Sequence, residues 1–306
     1  MAFAKDWKLQ ARHELVYRAV QFVTFISFII PRSWWLAFCG FVGKLAYYVA
    51  AQTRTLMHRH IAMAYPDWSQ AKVKKLAKTN FSYLAKNAGE ILRATKVKTL
   101  SDLEAFLKVH DFHLFEAARD QGKGVIFLTC HIGAFDLQVT YMSLKGMRPL
   151  IIGTPLKNKK LNDMLWQHRN AHGAIAVERG KEMFRLLKEL KSGGSLAILI
   201  DQDTKVKSRF VNFYGIPAAT PVGAAVFAIK TGAVVVPIFI HLGKDGLQHI
   251  RFYPAIETIV TGDEETDMVV NTQRYSDFIE ARVREYPEQW VWMHERWKTK
   301  PGEEVR

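Results

Sequence analysis

Three uncharged runs open the chain. AVQFVTFISFII spans 19–30 and ends at Pro31-Arg32, SWWLAFCGFVG spans 33–43 and stops at Lys44, and LAYYVAAQT reaches Thr53 before Arg54. Each is shorter than the ~18–20 apolar residues that a spanning helix needs. Starting the first helix at Leu15 and letting Arg18 snorkel lengthens it towards a thin crossing. Lys5, Lys8, Arg12 and Arg18 precede the apolar stretch against Asp6 and Glu14, which also suits a signal peptide; Ile29-Ile30-Pro31-Arg32-Ser33, however, is not a small-residue cleavage site. Trp34, Trp35, Tyr47 and Tyr48 are residue types that favour a headgroup interface. The pattern predicts a helical pair embedded in or beside a leaflet, held by apolar burial and by Lys/Arg attraction to anionic lipid. A pair of buried core helices is the competing reading.

Beyond this segment the periodicity changes. Val73, Leu76, Phe81, Leu84, Ala88, Ile91 and Leu92 recur at helical spacing between Ser69 and Thr95. After a connecting stretch with Leu100, Leu103, Phe106 and Leu107, strand-like and helical runs alternate. GVIFLT (124–129) is a short continuous apolar run, as in a strand covered on both faces. Strand patterns follow at 149–152, 174–177, 196–200, 233–240 and 249–256, the last two joined by the turn Lys244-Asp245-Gly246. Helical patterns fall at 134–144, 161–170, 183–190, 222–230 and 265–286. Strands separated by helices predict an α/β fold, a mostly parallel mixed sheet flanked by helices on both faces. With no Pro/Gly linker after Thr55, the expected organisation is residues 1–55 as N-terminal membrane-associated helices and 56–306 as one α/β domain.

Composition narrows the class. Hydrophobic residues make up 49% of the 306 and aromatics 12%, which excludes a disordered chain. A mean hydropathy of -0.07 excludes a polytopic membrane protein. Cys39 and Cys130 are too few for a disulfide framework or a structural zinc site. The net charge of +14 predicts an anionic partner: nucleic acid, a membrane surface, or an acidic protein or substrate. Basic residues scattered along helices without a binding motif rank nucleic acid lowest.

In open α/β sheets, ligands bind beyond the carboxyl ends of strands. Three such ends carry polar clusters: Cys130-His131-Ile-Gly-Ala-Phe-Asp136, Glu178-Arg179-Gly180-Lys181, and Asp201-Gln202-Asp203. His131 and Asp136 form an HX4D pattern, of which about one is expected by chance from 11 His and 29 acidic residues. Its context at a strand tip, with Gly133 two residues on, lets Asp136 fold back onto the imidazole and leaves the other ring nitrogen free to deprotonate a hydroxyl. A helix-capping His and a surface-paired Asp are the alternative. Cys130 points away from His131 on a strand and reads as a small buried residue rather than a nucleophile. Arg179 at the start of a helix is a candidate phosphate or carboxylate ligand, or a surface ion pair. Lys205, Lys207 and Arg209 argue against a cation site at Asp201 and Asp203, leaving a polar network that supports His131 or a substrate headgroup. No P-loop, GxGxxG, HExxH or GxSxG is present. A His–Asp base acting on a hydroxyl needs neither metal nor cofactor.

HIGAFDLQ, AVERG, the stretch from LAILIDQDTK to VVVPIFI, and VWMHERWKTKP together resemble the lipid A biosynthesis acyltransferases, within the wider lysophospholipid-acyltransferase-like fold. The likeness runs from about Pro31 to Pro301. It implies an enzyme at the cytoplasmic face of the inner membrane that moves a fatty acyl chain from acyl carrier protein, its co-substrate, to a hydroxyl of an anionic lipid A precursor. By resemblance His131 is the general base and Asp136 its orienting partner. Arg179 is expected to hold a phosphate, and Asp201 and Gln202 belong to the DQD block that contacts substrate. The chain departs from the family at Arg59-His60-Ile61, where the pattern reads R-N-L, and at Glu295, where a basic residue is frequent. Related acyltransferases acting on glycerol- or mannose-based lipids, and a non-catalytic basic membrane-surface protein, are the rival readings.

Overall fold

In the computed structural model, which describes residues 2–178 and 182–303, the N-terminal runs are helices broken where proline dictates. Helix α1 (Ala2–Ile29) ends before Pro31, and α2 (Arg32–Val49) begins after it, because a residue preceding proline is pushed out of the helical region. Helix α3 (Ala51–Ala64) follows Ala50 at an angle of 93°. Among the described residues no single helix is long and apolar enough to cross a membrane, but the bent pair α2–α3 passes by length and composition. The division expected at residue 55 falls inside α3.

Helix α2 lies along α4 (Gln70–Ala94), which Ser69 caps by accepting from the Lys72 amide. Their backbones nearly touch: a Cβ on Gly43 would sit 2.3 Å from the Phe81 carbonyl oxygen. Trp35 Nε1–H donates to the Gly89 carbonyl at 2.9 Å. Arg32 forks onto the buried Glu90 carboxylate and donates to the Gly246 carbonyl at 2.7 Å, which pins the α1–α2 break to the domain. Other large apolar side chains of these helices face outward, among them Phe22, Phe25 and Ile29 on α1 and Trp34, Phe38, Phe41 and Val49 on α2.

After the short α5 (Leu100–Glu104) the chain builds the sheet. Its elements are β1 (Leu107–His110), α6 (His113–Arg119), β2 (Val125–Thr129), α7 (Asp136–Leu144), β3 (Leu150–Gly153), α8 (Lys159–Asn170), β4 (Ile175–Glu178), α9 (Met183–Lys191) and β5 (Ser195–Leu199). A hairpin, β6 (Ser208–Phe213) and β7 (Ile216–Pro221), precedes α10 (Gly223–Thr231), β8 (Val234–Leu242), β9 (Gln248–Phe252) and α11 (Glu264–Glu285). Among the described residues seven strands form one sheet in the order β1-β9-β8-β2-β5-β3-β4, and only the β8–β9 pairing is antiparallel. This is the expected α/β sheet, with β1 and the β6–β7 hairpin added to the strands legible in sequence.

Strand alternation splits the core in two. Ile126 and Leu128 of β2 pack into one cluster with Leu186 and Leu190 of α9, residues of α10 and α11, and Met57 and Ile61 of α3. Val125 and Phe127 face the other way, onto Phe115 of α6 and Leu137 and Tyr141 of α7. Helices therefore cover both faces, and β2 is buried along its whole length.

Where β8 and β9 meet β1, three imidazoles gather. His241 stacks on Tyr286, with ring centroids 3.9 Å apart, and on His249 at 5.2 Å. His249 Nδ1 lies 2.9 Å from His110 Nε2. Burial first, then the nearby His249, His110 and Arg251 charges, push His241 from 6.5 down to about 4. The unfolded chain thus binds this proton near pH 6.5 and the folded one only near 4, so the contribution is complete above 6.5 and is lost as pH falls towards 4. Denaturant titration is expected to show His241 contributing a drop in stability of roughly 3 kcal/mol over that window, a slope that His241→Gln flattens.

Candidate active site

Parallel register assembles the site. Thr129 of β2 stands opposite Leu199 of β5. Two residues further on, the chains leaving these neighbouring strands carry His131 and Asp201, 70 positions apart in sequence. The Asp201 carboxylate is fully buried and receives three donors. His131 Nδ1 is 2.8 Å from Oδ1, the His131 backbone N–H reaches Oδ2 at 2.9 Å, and Trp290 Nε1–H reaches the same Oδ2 at 2.8 Å. Burial pushes the Asp201 proton affinity up, but the His131 charge and the hydrogen bonds from His131 and Trp290 outweigh it and hold the group below the ordinary carboxylate value. An ionised carboxylate only accepts, so Nδ1 carries the hydrogen and Nε2 keeps its lone pair. Nε2 has no partner among the described residues; the side chain is 23% exposed, and Phe135 meets the ring edge-on at 5.0 Å.

Asp136 is elsewhere. The sequence expectation folds it back onto the imidazole, but its carboxylate accepts from Arg169 instead, Nε to Oδ1 at 2.8 Å and Nη2 to Oδ2 at 3.3 Å. The reason is helical. Asp136 begins α7, where a carboxylate suits the N-terminal partial charge, and Arg169 comes from the last turn of α8, which packs against α7. Both side chains of this pair are largely buried, so it fixes the helix that follows the His131 loop rather than the ring itself.

Gly133 explains the tight loop between them. It sits at φ +62, and a Cβ there would meet the Ile240 carbonyl oxygen at 2.4 Å. Its amide donates to the Gln289 carbonyl at 3.1 Å. The Gln289 side chain in turn bonds both the amide and the carbonyl of Leu242 at the end of β8. Residues 287–299 thus strap the site. Ile132 forms a β-bridge with Trp290, Asn80 Nδ2 donates to the Trp290 carbonyl at 2.7 Å, and His60 Nδ1 lies 3.0 Å from the Trp292 carbonyl. The two segments that depart from the family pattern meet here, where Arg59, beside the departing His60, pairs with Glu295 at 3.9 Å on the surface.

The remaining candidates divide. Asp201 was expected to contact substrate; its oxygens are instead taken by protein donors. Gln202 is half-buried beside it, and its amide has no partner among the described residues. Asp203 accepts from the amide and hydroxyl of Thr299. Arg179 lies outside the described residues. Cys130 is buried with its thiol pushed well up, by burial and then by the Asp201 charge, so it offers no thiolate. The described residues contain no cluster of three or more metal-ligating side chains. Arg169 and Trp290 were missed in sequence. Trp290 carried a faint signal, a tryptophan-rich segment too polar around it for a core helix.

A buried carboxylate fixes an imidazole at a strand tip of an α/β frame, its outer nitrogen open and, among the described residues, no nucleophilic side chain against it, an arrangement chemically able to take a proton from a hydroxyl. Residues 3–299 match the family described as bacterial lipid A biosynthesis acyltransferase, and the chain belongs to that family. It is 27% identical over 305 residues to the lipid A biosynthesis acyltransferase of Haemophilus influenzae, covering 91% of this chain and 92% of that one. The lipid A biosynthesis lauroyltransferase of Escherichia coli is 24% identical over 275 residues (86% and 84% of the two chains). The phosphatidylinositol mannoside acyltransferase of Mycolicibacterium smegmatis is 24% identical over 204 residues (65% of each).

Proposed function

We propose that the protein transfers a fatty acyl chain from the thioester of acyl carrier protein to a hydroxyl of a lipid A precursor, at the cytoplasmic face of the inner membrane. The observation that carries this reading is the open Nε2 of His131, poised by Asp201. Nε2 removes the acceptor hydroxyl proton as the oxygen attacks the thioester carbonyl. The tetrahedral intermediate then expels the pantetheine thiolate, which takes the proton back from the imidazolium. The Asp201 carboxylate steadies that imidazolium. With the Gly133 amide engaged, the amides of Ala134 and Phe135, which precede α7 and have no acceptor among the described residues, are the backbone donors that would suit a developing oxyanion.

Other parts of the reading rest on chemistry and kinship. The +14 charge suits an acidic carrier protein and a phosphorylated glycolipid. Arg179 would hold a phosphate, and Gln202, with its unpartnered amide, a polar group of the substrate. The outward apolar side chains of α1 and α2 would seat the protein in the leaflet. Kinship to phosphatidylinositol mannoside acyltransferases keeps a mannose-based acceptor as the second reading.

Mass spectrometry of lipid A from a strain lacking the protein tests the proposal. Wild type should restore an acyl chain that His131→Ala does not, with His131→Ala present in membranes at wild-type level. Unchanged lipid A in the deletion strain, or full restoration by His131→Ala, defeats it.

A further inference from the structure

Helix α4 opens with charges that do nothing for the helix. Lys72, Lys74, Lys75 and Lys78 crowd its first half, its first turn holds no acid, and its one carboxylate, Glu90, is buried against Arg32. The N-terminal end of a helix carries a partial positive charge, and lysines three or four positions apart repel. Helix α11 shows the ordinary arrangement, with Glu264, Glu265 and Asp267 in its first turn. Across residues 51–80 the charges are Arg54, Arg59 and the four lysines against Asp67 alone. Elsewhere surface arginines meet carboxylates, as Arg209 does Glu265 and Arg284 does Glu280. Lys74 and Lys75 are exposed and have neither a hydrogen-bond nor an ion-pair partner among the described residues. Lys72 lies 3.8 Å from the centroid of the Trp68 ring, and Lys78 donates to the exposed Tyr48 hydroxyl at 2.6 Å.

This face is continuous with α3. Arg54 donates to the Tyr47 and Tyr48 carbonyls at 2.8 and 2.9 Å. It shares with Lys74 the surroundings of His58, whose proton affinity is lowered first by burial and then by these two charges. The apolar strip of α2 stops where the basic face starts. Val49 is its last residue, α3 turns away at 93°, and among the described residues no large apolar side chain is exposed again before Leu156. A surface seated in a leaflet combines cations with apolar side chains. This one carries cations without them, which suits a soluble acidic partner that binds and leaves.

The same helices frame the active site. From α3, His60 Nδ1 lies 3.0 Å from the Trp292 carbonyl. From α4, Asn80 donates to the Trp290 carbonyl at 2.7 Å, and Trp290 donates in turn to Asp201 at 2.8 Å. A protein held on the outer side is therefore joined to the His131–Asp201 pair through two helices and the strap.

We propose that the basic face of α3 and α4 is where the acidic carrier protein docks to deliver its acyl thioester. The inference rests on the reading of that protein as acyl donor. Its surface carboxylates meet Lys72, Lys74 and Lys75, the cations with least to do inside the molecule. Long-range attraction speeds the encounter, and release after transfer breaks no apolar contact.

The test titrates full-length protein in detergent micelles with fluorescently labelled acyl carrier protein. Lys72→Glu/Lys74→Glu/Lys75→Glu should weaken binding about tenfold or more and raise KM for acyl carrier protein alike, while kcat holds. The loss should be absent with acyl-pantetheine, a donor without the acidic protein. Acids suit the N-terminal end of α4, so the helix should stay folded. Raising salt from about 50 to 500 mM should weaken wild-type binding steeply and the variant's little, because charges are then screened over a shorter distance. Lys123→Glu/Lys191→Glu, at the amino ends of β2 and β5 on the edge opposite His131, should bind as wild type. Wild-type affinity in the triple variant overturns the proposal, as does an equal loss in the Lys123 and Lys191 variant. So does a triple variant that keeps the carrier protein but no longer binds phosphatidylglycerol vesicles, which would make the face a lipid surface. Should the triple variant not fold, Lys72→Gln/Lys74→Gln/Lys75→Gln decides: binding should weaken about threefold, and wild-type affinity overturns the proposal. The donor reading fails separately, when wild type neither binds acyl carrier protein nor uses it better than acyl-pantetheine.

Discussion

Asp201→Asn is expected to lower kcat by about 10^4-fold with little change in KM. The carboxylate now accepts three N–H donors, from the His131 ring, the His131 amide and Trp290. A carboxamide accepts with only one of its two ends. Turned one way, its NH2 group faces the Trp290 and His131 amide donors, two N–H groups against one. Turned the other way, it donates to Nδ1, which moves the ring hydrogen to Nε2, and the base disappears. Either arrangement also removes the negative charge that stabilises the imidazolium. Asp136→Asn is the informative partner. It weakens the Arg169 pair but takes no hydrogen bond from the imidazole, so its loss of kcat should be at least tenfold smaller. Transfer rates with saturating thioester decide the matter: equal losses in the two variants would return the orienting role to Asp136.

That contrast shows where the sequence stops speaking. The strand tips were legible because β2 and β5 are short, continuous apolar runs that end in polar residues. His131 and the acidic block at Asp201 were both placed at such tips. What a single sequence does not contain is strand order. HX4D favours Asp136 because it is near in the chain, whereas nearness in space follows from β2 and β5 being neighbours in register. The acid that matters locally was thus hidden by a 70-residue separation.

The missed hairpin has a different cause. Its turn puts Tyr214 and Gly215 at φ 57 and 73, and tyrosine is a rare occupant of the left-handed region. Pro217 and Pro221 in β7 further disguise a strand, tolerated because β6 and β7 stand apart from the main sheet. Strand β1, with only Leu107, Lys108, Val109 and His110, is too short for an alternating pattern to register. At the N-terminus, run length alone left anchor and core helix open. The structure bears out the core reading for one face of α2, which buries Trp35 and Cys39 against α4, and leaves Trp34 and Phe38 on the outward face.

Trp290→Ala should be the most destabilising single change near the site. The indole is fully buried, meets Trp292 edge-on at 4.7 Å and lies 5.4 Å from the Phe213 ring. Emptying such a space costs about 3–5 kcal/mol. The change also withdraws one donor from a buried carboxylate, worth about 1.5–3 kcal/mol for a charged acceptor. Some of that second cost is recovered if water enters the cavity, so a loss of roughly 4 kcal/mol is expected in denaturant unfolding, and transfer activity should fall with it because the strap over Ile132 and Gly133 loosens. Trp290→Phe separates the two contributions. The ring still fills most of the space, so stability should fall by only about 1–2 kcal/mol, yet the N–H to Asp201 is gone. Asp201 then binds its proton more readily, and its hold on the His131 ring relies on the two bonds that His131 itself supplies. Activity should drop roughly tenfold in a protein that remains folded. A phenylalanine variant with wild-type turnover would show that the indole acts by bulk alone; one as unstable as the alanine variant would show that the hydrogen bond, not the packing, holds the strap in place.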